Sequence, residues 1–404
     1  MIAALRVRDF RRYFCGQGLS FVGDGLRNFV LPLIIFQTTH STVATSVTFL
    51  AQYAPLGIVG LFSGTIADRF DRRRAMLACD GLRAAAAISI ALLLLTRHPV
   101  VSAIYPLLLL MSVAAAIFLS SQTASIPVLL PEAAAADGIG ALMAAERTAN
   151  VVAPLLGATL MGMWGPAGAL FCDALSYFCS QASIASVRTL GGGGAAQTRP
   201  ALSLRILWLD VCVGARAVFG DPAMTASAAS LIVLNTIGMA SVVLLIPFLA
   251  TARAATTWQI SAFFTLAAVG GTIGAASIGR FSRLAFGPTF VSVQVLESMA
   301  LPLLVLTHNV YLCGIIWALG AYNTQLKSGL FFAWRLRITQ LNENGRAFAV
   351  VRTLLTGGIV AGCALGGIAA SVYGVAKTMD FLAITYFTLA AAMCAVPQVV
   401  RDRR

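Results

Sequence analysis

The sequence predicts an all-α, polytopic membrane protein with twelve transmembrane helices in two halves of six. Hydrophobic residues make up 59% of the 404 positions, only 11% are charged, and the mean hydropathy is +0.86. A soluble chain of this length needs far more charge to cover its surface. Apolar stretches recur from end to end, each with the roughly twenty residues that cross a hydrocarbon core of about 30 Å. The sequence leaves no soluble catalytic domain, so we expect a protein that is not an enzyme.

Charged residues, prolines and glycines divide the apolar sequence into twelve segments. The first six are predicted at 13–37, 44–66, 75–96, 99–123, 139–162 and 166–188, and the second six at 224–250, 257–280, 286–307, 310–333, 347–371 and 375–398. A less apolar segment that begins with the four glycines from Gly191 to Gly194 separates the two sets, as a flexible linker would. We therefore expect an N-terminal half over 1–188, a cytoplasmic linker over 189–223 and a C-terminal half over 224–404.

Within the linker, residues 202–219 place apolar side chains at helical spacing, with charged residues between them. This pattern is typical of an amphipathic helix on the membrane surface. The alternative is a cytoplasmic extension of the seventh helix. The pair Asp221-Pro222 favours a break, because proline suits the first turn of a helix.

The basic residues predict the orientation of the helices. Twenty arginines lie in the N-terminal tail, the linker region, the C-terminus and the loops that follow helices 2, 8 and 10. The other side of the membrane holds only Arg97, Arg253 and Lys377. Because basic loops stay in the cytoplasm, both chain ends are expected there, in a bacterial inner membrane. The same asymmetry favours an even number of helices.

The net charge of +13 does not predict a nucleic-acid partner, because the basic residues form short clusters between apolar spans. The eight cysteines are scattered through the chain without a Cys-x-x-Cys pair, as expected for small buried residues rather than a metal site. No Walker motif or metal-ligand cluster occurs in the sequence. We expect no cofactor, so an ion gradient or the substrate's own gradient must supply the energy.

The loop between helices 2 and 3 reads Gly64-Thr-Ile-Ala-Asp68-Arg69-Phe-Asp71-Arg72-Arg73-Arg74. A small residue at 64 lets two helices approach closely, and Asp68 follows one turn later at the membrane edge. A carboxylate there can pair with arginines or with the positive N-terminal end of a helix. Such a pairing can hold the cytoplasmic side closed. The alternative is that the arginines only set the topology.

This loop resembles motif A of the major facilitator superfamily, Gly-x-Leu-Ala-Asp-Arg-x-Gly-Arg-Arg/Lys. The match covers Gly64, Ala67, Asp68, Arg69, Arg72 and Arg73, and it departs at Ile66 and Asp71. The resemblance implies a cytoplasmic gate that opens when two six-helix halves rock. Residues 270–283 are similar to the degenerate copy of this motif between helices 8 and 9, as in a parallel repeat.

Helix 5 contains Ala153-Pro154-Leu-Leu-Gly157-Ala158, which is similar to motif C of antiporter-type exporters, Gly-Pro-x-x-Gly-Gly. Proline bends a membrane helix, and small residues allow tight packing. This resemblance favours export over import. The arginine of motif B in helix 4 is absent, since the stretch from Phe118 to Gln122 has no basic residue.

Three further stretches, at 9–24, 126–131 and 171–177, are similar to the drug-efflux branch of the superfamily. That branch includes macrolide exporters and siderophore exporters of the enterobactin type. The similarity runs along nearly the whole chain, and it identifies a branch without identifying a substrate.

Ionisable residues at membrane depth are costly and are functional candidates for that reason. Asp24 and Arg27 lie midway along helix 1 at a spacing of three residues, where they can pair. The resemblance places their face near the substrate path, and we expect them to couple proton binding to substrate release. The alternative is a static ion pair. Glu297, at mid-depth in helix 9, is either a second proton-coupling residue or a partner in a helix contact.

Other intramembrane charges are expected to form gate and packing pairs near the cytoplasmic side: Asp80, Arg83, Glu146, Arg147 and Arg352. Asp173, in the outer part of helix 6, is expected to be structural. Lys327 is expected to extend its ammonium group to the membrane interface. Neutral polar residues are candidates for the substrate cavity: Gln122, Asn150, Asn235, Asn323 and Gln325.

The sequence therefore predicts a monomeric secondary exporter of amphipathic small molecules, driven by protons or Na⁺, that works by rocking of its two halves. A drug or a siderophore-like metabolite is the expected cargo. The alternatives within the superfamily are a lysophospholipid flippase and a small-solute importer. The alternative from another class is a transport-inactive membrane receptor.

Overall fold

The computed structural model describes residues 2–69, 71–96, 100–187, 189–191, 212–216, 218–338 and 344–393. A short helix, Ile2–Arg6, precedes the long ones, and Thr189–Gly191 forms one 3₁₀ turn. The first six long helices are α1 Arg8–Thr39, α2 Thr42–Arg69, α3 Arg72–Leu94, α4 Val101–Leu129, α5 132–164 and α6 166–186. The second six are α7 Pro222–Ala252, α8 Thr257–Phe281, α9 Phe286–Leu306, α10 Val310–Ile338, α11 Asn344–Tyr373 and α12 Val375–Met393.

A single glycine separates α5 from α6. The helical segment Glu132–Ser186 has 55 residues, and at 1.5 Å per residue it would extend about 80 Å, far more than one membrane crossing needs. Gly165 interrupts it with φ 70° and ψ 179°, a conformation that residues with a side chain rarely adopt. Pro166 follows and starts α6 with its fixed φ. The segment is therefore two spans joined by a tight turn.

The helices account for the twelve predicted spans. In the described part of the chain, nine helices are long and apolar enough to cross a membrane, and Glu132–Ser186 is one of them. Counting its two arms separately and adding α2 and α10 completes the twelve. α9 is broken at Met299 into Phe286–Ser298 and Ala300–Leu306. The fold class predicted from the sequence is confirmed, and the predicted helix ends differ from the observed ones by several residues.

The chain divides into two compact units, the first formed by Met1–His40 and Val47–Arg199 and the second by Ser41–Ser46 and Pro200–Arg404. In the first unit, α1 packs closely on α5 and α6. A methyl group at Gly25 would lie 2.6 Å from Cβ of Ala153, and one at Gly23 would lie 2.7 Å from Oδ1 of Asp173. Glycine at these positions lets the helix backbones approach, as at other membrane helix contacts.

In the second unit, rows of glycines pack against helix backbones. Gly358, Gly362 and Gly366, spaced four residues apart, form one face of α11 that lies against the stretch of α7 from Ile232 to Ala240. Gly270 and Gly274 of α8 lie against backbone atoms of α10. With no side chain between them, these helices are held by dispersion contacts along their backbones, which is how helices associate in lipid.

Most of the linker lies outside the described residues. Residues 212–216 and 218–219 are helical, and the amphipathic helix expected at 202–219 stays a prediction. The predicted break before α7 is confirmed, because this helix begins at Pro222 with Asp221 as its N-cap. The Asp221 carboxylate accepts hydrogen bonds from the backbone N–H of Ala223 at 2.8 Å and of Met224 at 3.1 Å.

Candidate functional site

Five charged side chains and one tyrosine meet at the middle of α1, α3 and α6. They are Asp24 and Arg27 of α1, Asp80 and Arg83 of α3, and Asp173 and Tyr177 of α6. Arg83 lies eleven residues from each end of α3. We name this set the α1–α3–α6 cluster. All of its members belong to the first unit.

Asp24 is the most heavily hydrogen-bonded carboxylate of the cluster. Nη2 of Arg83 donates to both carboxylate oxygens, at 2.7 and 2.6 Å. The Tyr177 hydroxyl donates to Oδ1 at 2.6 Å, and Nη2 of Arg27 lies 2.9 Å from the same oxygen. Two guanidinium groups and a phenol therefore stabilise an ionised Asp24. Its side chain is 25% exposed, whereas the other four charged side chains are at most 8% exposed.

Arg27 and Arg83 each touch more than one acceptor. Both donate to the Tyr177 hydroxyl, and Arg83 also stacks over the Tyr177 ring with 4.2 Å between its guanidinium carbon and the ring centroid. Nη1 of Arg83 donates to Oδ1 of Asp80 at 3.2 Å. Nη1 of Arg27 lies 3.6 Å from Oδ2 of Asp173, beyond hydrogen-bonding distance. The two arginines thus tie all three carboxylates together.

The charges in this cluster do not cancel. Three carboxylates face two guanidinium groups, so the fully ionised set carries one excess negative charge. An uncompensated charge in a low-dielectric interior costs several kcal/mol or more, and such groups usually become neutral by binding a proton. The geometry therefore suits a site that holds one proton.

Neutral polar side chains continue the cluster along the same face of α1, towards the N-terminal end of that helix. Nε2 of Gln17 donates to Oγ of Ser180 at 2.9 Å, and Nε2 of Gln122 donates to Oε1 of Gln17 at 3.1 Å. All three residues are buried. Gln122, expected in the substrate cavity, is placed here inside the first unit and hydrogen-bonded to its own neighbours.

The second unit contains a smaller buried ion pair. Nζ of Lys327 in α10 lies 2.5 Å from Oε2 of Glu297 in α9, and both side chains are at most 6% exposed. Oε1 of Glu297 accepts hydrogen bonds from Thr324 at 2.8 Å and from the Tyr386 hydroxyl of α12 at 2.6 Å. One negative and one positive charge cancel. We name this set the α9–α10–α12 pair.

The structure corrects two sequence-based expectations, for Arg83 and Lys327, and it adds contacts for Asp173 and for α1. Arg83 is not in the first third of its helix, because α3 begins at Arg72 and Arg83 is its midpoint; Asp80, eight residues from the start, pairs with it. Asp173 joins the charged cluster. Lys327 does not reach an interface, since Glu297 holds it in the interior. The face of α1 with Asp24 and Arg27 packs against α3 and α6 of its own unit.

These corrections share a cause. The sequence shows Asp24 and Arg27 as neighbours, but Arg83 and Tyr177 lie 59 and 153 residues away from Asp24. The buried tyrosines Tyr177 and Tyr386 carried no local signal of a polar role. In the sequence, only the mid-helix positions of Asp24 and Glu297 marked these sites.

The structure describes the side chains of only part of the motif A-like loop. Arg72 donates to the carbonyl of Ala124 in α4 at 3.0 Å, and Arg73 donates to the carbonyl of Ala185 at 2.6 Å, in the last turn of α6. Asp71, which stands where the motif has glycine, is the N-cap of α3 and accepts from the backbone N–H of Arg74 at 2.7 Å. The surroundings of Gly64 and the side chains of Asp68 and Arg69 lie outside the described part, so the gate role of these residues stays a prediction.

The motif C-like residues of α5 face α1. Ala153, Pro154 and Gly157 are buried, and a methyl group at Gly157 would lie 3.2 Å from side-chain atoms of both Phe29 and Val30. These small residues let α5 lie close to the helix that carries Asp24.

The remaining candidates for the substrate cavity differ in exposure and in their hydrogen bonds. Asn150 is exposed on α5, and Gln325 is partly buried on α10. Nδ2 of Asn235 donates to the carbonyl of Leu355 at 3.3 Å, and Nδ2 of Asn323 donates to the carbonyl of Leu319 at 3.0 Å. Their role in substrate binding stays a prediction. Among the described residues, no group of three or more His, Cys, Asp or Glu is placed to hold a metal ion.

Twelve membrane spans with ionisable side chains buried halfway along them define a polytopic membrane protein of the transporter type. The chain belongs to the Major Facilitator Superfamily, whose family model matches residues 13–334. It is therefore a multi-pass transporter of a small-molecule substrate.

Several known proteins are similar to this chain. The enterobactin exporter EntS of Salmonella typhimurium (strain LT2) is 25% identical over 376 residues, which cover 91% of this chain and 87% of the relative. The EntS protein of Escherichia coli O139:H28 is 27% identical over 282 residues, covering 68% of this chain and 64% of the relative.

Solved structures share the fold at low sequence identity. A mutant form of the nucleoside transporter NupG has a TM-score of 0.75 and 14% identity, covering 96% of this chain and 99% of that chain. A bacterial homologue of the human lysosomal transporter Spinster has a TM-score of 0.73 and 14% identity, covering 98% of each chain.

Proposed function

We propose that the protein is a secondary active exporter of amphipathic small molecules that exchanges its cargo for protons. The observation that carries this proposal is the α1–α3–α6 cluster, in which three carboxylates face two guanidinium groups at mid-membrane depth. A site with one excess negative charge can bind one proton and become neutral. Proton binding then changes which carboxylate each arginine contacts.

These contacts join three helices, so a change in them alters how α1, α3 and α6 pack. Packed helix contacts tend to have discrete arrangements, which lets a small local change favour one state of the transporter over another. In the proposed cycle, the two halves rock around a central substrate site. Proton binding in the first half favours the state that releases the cargo.

The cargo is proposed to be a drug or a siderophore-like metabolite. The support is the similarity to proteins named enterobactin exporters, at 25% identity over 91% of this chain. The motif C-like sequence of α5 supports export rather than import. A bacterial inner membrane with both chain ends in the cytoplasm is proposed from the twenty arginines on one side. Reporter fusions at each end would contradict this topology if they reported opposite faces.

The cytoplasmic gate is proposed to involve Asp68 with the arginines that follow it in sequence. Asp68→Asn is expected to weaken the cytoplasmic seal. Labelling of single cysteines at the cytoplasmic mouth with a membrane-impermeant maleimide should become faster in this variant. An unchanged labelling rate would show that Asp68 is not part of the seal.

The direct test of coupling uses purified protein in liposomes with an imposed pH gradient, with enterobactin and ethidium as separate probes. Asp24→Asn is expected to abolish gradient-driven accumulation of the transported probe, because the amide cannot bind the proton. Asp380→Asn is the matched control, since Asp380 is an exposed carboxylate of α12. It should transport like the parent protein.

Two results would contradict the proposal. The first is that protons still move together with the transported probe in Asp24→Asn, at the same rate as in the parent protein. The second is transport of both probes that ignores the pH gradient in the parent protein. A thermal unfolding curve similar to that of the parent protein would show that Asp24→Asn is folded.

A further inference from the structure

One carboxyl group of the α1–α3–α6 cluster lacks the hydrogen bonds that the other two receive. Asp173 is completely buried, and neither of its carboxyl oxygens accepts a hydrogen bond. Its nearest cation is Arg27, at 3.6 Å. Oδ1 instead lies against the backbone of α1 at Gly23, where a methyl group would come within 2.7 Å. This carboxyl is therefore held against α1, one residue from Asp24, with no donor within hydrogen-bonding distance.

The other two carboxyls are better compensated. Asp24 accepts from Arg83 and Tyr177 and pairs with Arg27. Asp80 accepts from Arg83 at 3.2 Å through Oδ1, and its Oδ2 has no hydrogen-bond partner. A buried carboxylate without donors is the least favourable place for the excess negative charge.

We propose that Asp173 carries the proton of the cluster and competes with Asp24 for Arg27. This inference rests on the proposed proton coupling, and it names the residue that the proton occupies. In one state, Asp173 is a neutral acid and Asp24 is ionised and paired with Arg27. In the other state, Asp24 has bound the proton, and Arg27 has moved to the ionised Asp173.

The exchange keeps the number of protons and the net charge of the cluster constant. Asp173 loses one proton, Asp24 gains one, and the Arg27 guanidinium changes partner without changing its charge. Asp24 is the member through which the proton enters or leaves, because it alone is partly exposed, at 25%.

The groups that surround this exchange come from every helix of the cluster. They are Asp24 and Arg27 of α1, Asp80 and Arg83 of α3, and Tyr177 of α6. α5 adds Glu146, which is exposed and interacts electrostatically with Arg147 and with Asp24. Arg27 is the cation nearest to Asp173, so the state of Asp173 depends on where Arg27 is.

The sequence offers a selective way to observe this residue in the whole protein. The dipeptide Cys-Asp occurs only at 79–80 and 172–173. Solid-state NMR of the protein in lipid bilayers, with carbonyl-¹³C cysteine and ¹³C,¹⁵N aspartate, therefore selects only Asp80 and Asp173. Cys172→Ser removes the Asp173 signal from the filtered spectrum and so assigns it. The carboxyl ¹³C shift then reports whether each acid is neutral or ionised.

At neutral pH, the Asp173 carboxyl signal is expected at the position of a neutral acid and the Asp80 signal at the position of a carboxylate. In Asp24→Asn, which removes the competitor, Arg27 is free to pair with Asp173. The Asp173 signal should then shift to the carboxylate position. The Asp380→Asn control should leave both signals unchanged.

Either of two outcomes overturns the proposal. If Asp173 is ionised in the parent protein, another residue holds the proton. A neutral Asp80 in the same spectrum would identify Asp80 as that residue. Asp173 still neutral in Asp24→Asn would show that the two carboxyls do not compete for Arg27. Neither measurement involves a transported substrate, so a transporter that ignores pH gradients would refute the proposed function and leave this result standing.

Discussion

The two units carry buried charges at equivalent places in their helices, but only one set of charges cancels. Arg83 lies eleven residues after the start of α3, and Glu297 lies eleven residues after the start of α9. Tyr177 and Tyr386 each lie eleven residues after the first residue of α6 and α12. This common register is what a duplicated six-helix half predicts.

The chemistry at those equivalent positions differs. In the first unit the α3 position is a cation, and its anionic partner, Asp24, comes from α1. In the second unit the α9 position is an anion, and its partner Lys327 comes from α10, at the place where α4 has Phe118. Arg83 stacks over that phenylalanine, 5.4 Å from its centroid.

The difference in net charge separates two roles. The α9–α10–α12 pair is neutral and fully buried, which suits a fixed contact that joins three helices. The α1–α3–α6 cluster has one carboxylate in excess and one member partly exposed to its surroundings, which suits proton exchange. Glu297 was one of the residues expected to couple protons, and its contacts favour the structural alternative.

The largest expected effect is the difference between removing one carboxylate charge from the second unit and removing one from the first. Glu297→Gln leaves Lys327 buried without a counter-ion and is expected to lower the free energy of unfolding by about 3–5 kcal/mol. Asp173→Asn removes the excess carboxylate of the other cluster and is expected to change that free energy by less than about 1 kcal/mol. Both are measured by denaturant unfolding in detergent micelles.

A second substitution controls for the loss of Glu297. Glu297→Gln combined with Lys327→Met should recover most of the lost stability, because no buried charge remains. If Glu297→Gln and Asp173→Asn lower the free energy of unfolding equally, the two sites do not differ in how their charges are compensated.

The two tyrosines give the next largest effect. Tyr177→Phe and Tyr386→Phe each remove a hydrogen bond to a carboxylate, a loss of about 1.5–3 kcal/mol in unfolding free energy. Only Tyr177→Phe is expected to change the pH dependence of ethidium or enterobactin transport in liposomes. The same change of pH dependence in Tyr386→Phe would assign proton coupling to both units.

Packing around the first cluster can be tested with a matched pair of glycines in α1. Gly23→Ala places a methyl group against Asp173 and Ser176 and is expected to cost about 1–3 kcal/mol through overpacking. Gly18→Ala meets no atom within 4 Å and should be neutral or slightly stabilising, since alanine favours helix by about 1 kcal/mol. If the two variants unfold alike, the close contact at Gly23 is not a constraint.

The smallest expected effect concerns the N-caps of the two equivalent helices, α3 and α9. α3 has a side-chain N-cap, Asp71, whereas α9 begins after Ala285, which has none. Asp71→Ala should lower the free energy of unfolding by about 0.5–2 kcal/mol. Ala285→Asp should raise it by a similar amount, because it gives α9 a side-chain cap. A stabilising Asp71→Ala or a destabilising Ala285→Asp would show that the loop, rather than the cap, determines these helix starts.

The prediction of the site from sequence was incomplete for a physical reason. Asp24 and Arg27 were found because their spacing of three residues places them on one face of one helix. Asp173 was expected to be structural and Lys327 to reach the interface, because a position along one helix does not tell which other helix lies beside it. The missing information was the rotation of α6 and α10 about their own axes.

The sequence by itself determined the twelve spans, their ends to within several residues, and the break at Asp221-Pro222. These features are local, because each membrane helix must satisfy its own backbone hydrogen bonds and bury about twenty apolar residues. Only the tertiary structure decided that one charged set is neutral and the other is not. Net charge at a site depends on which helices meet there. Local sequence patterns do not predict contacts between residues 59 or 153 positions apart.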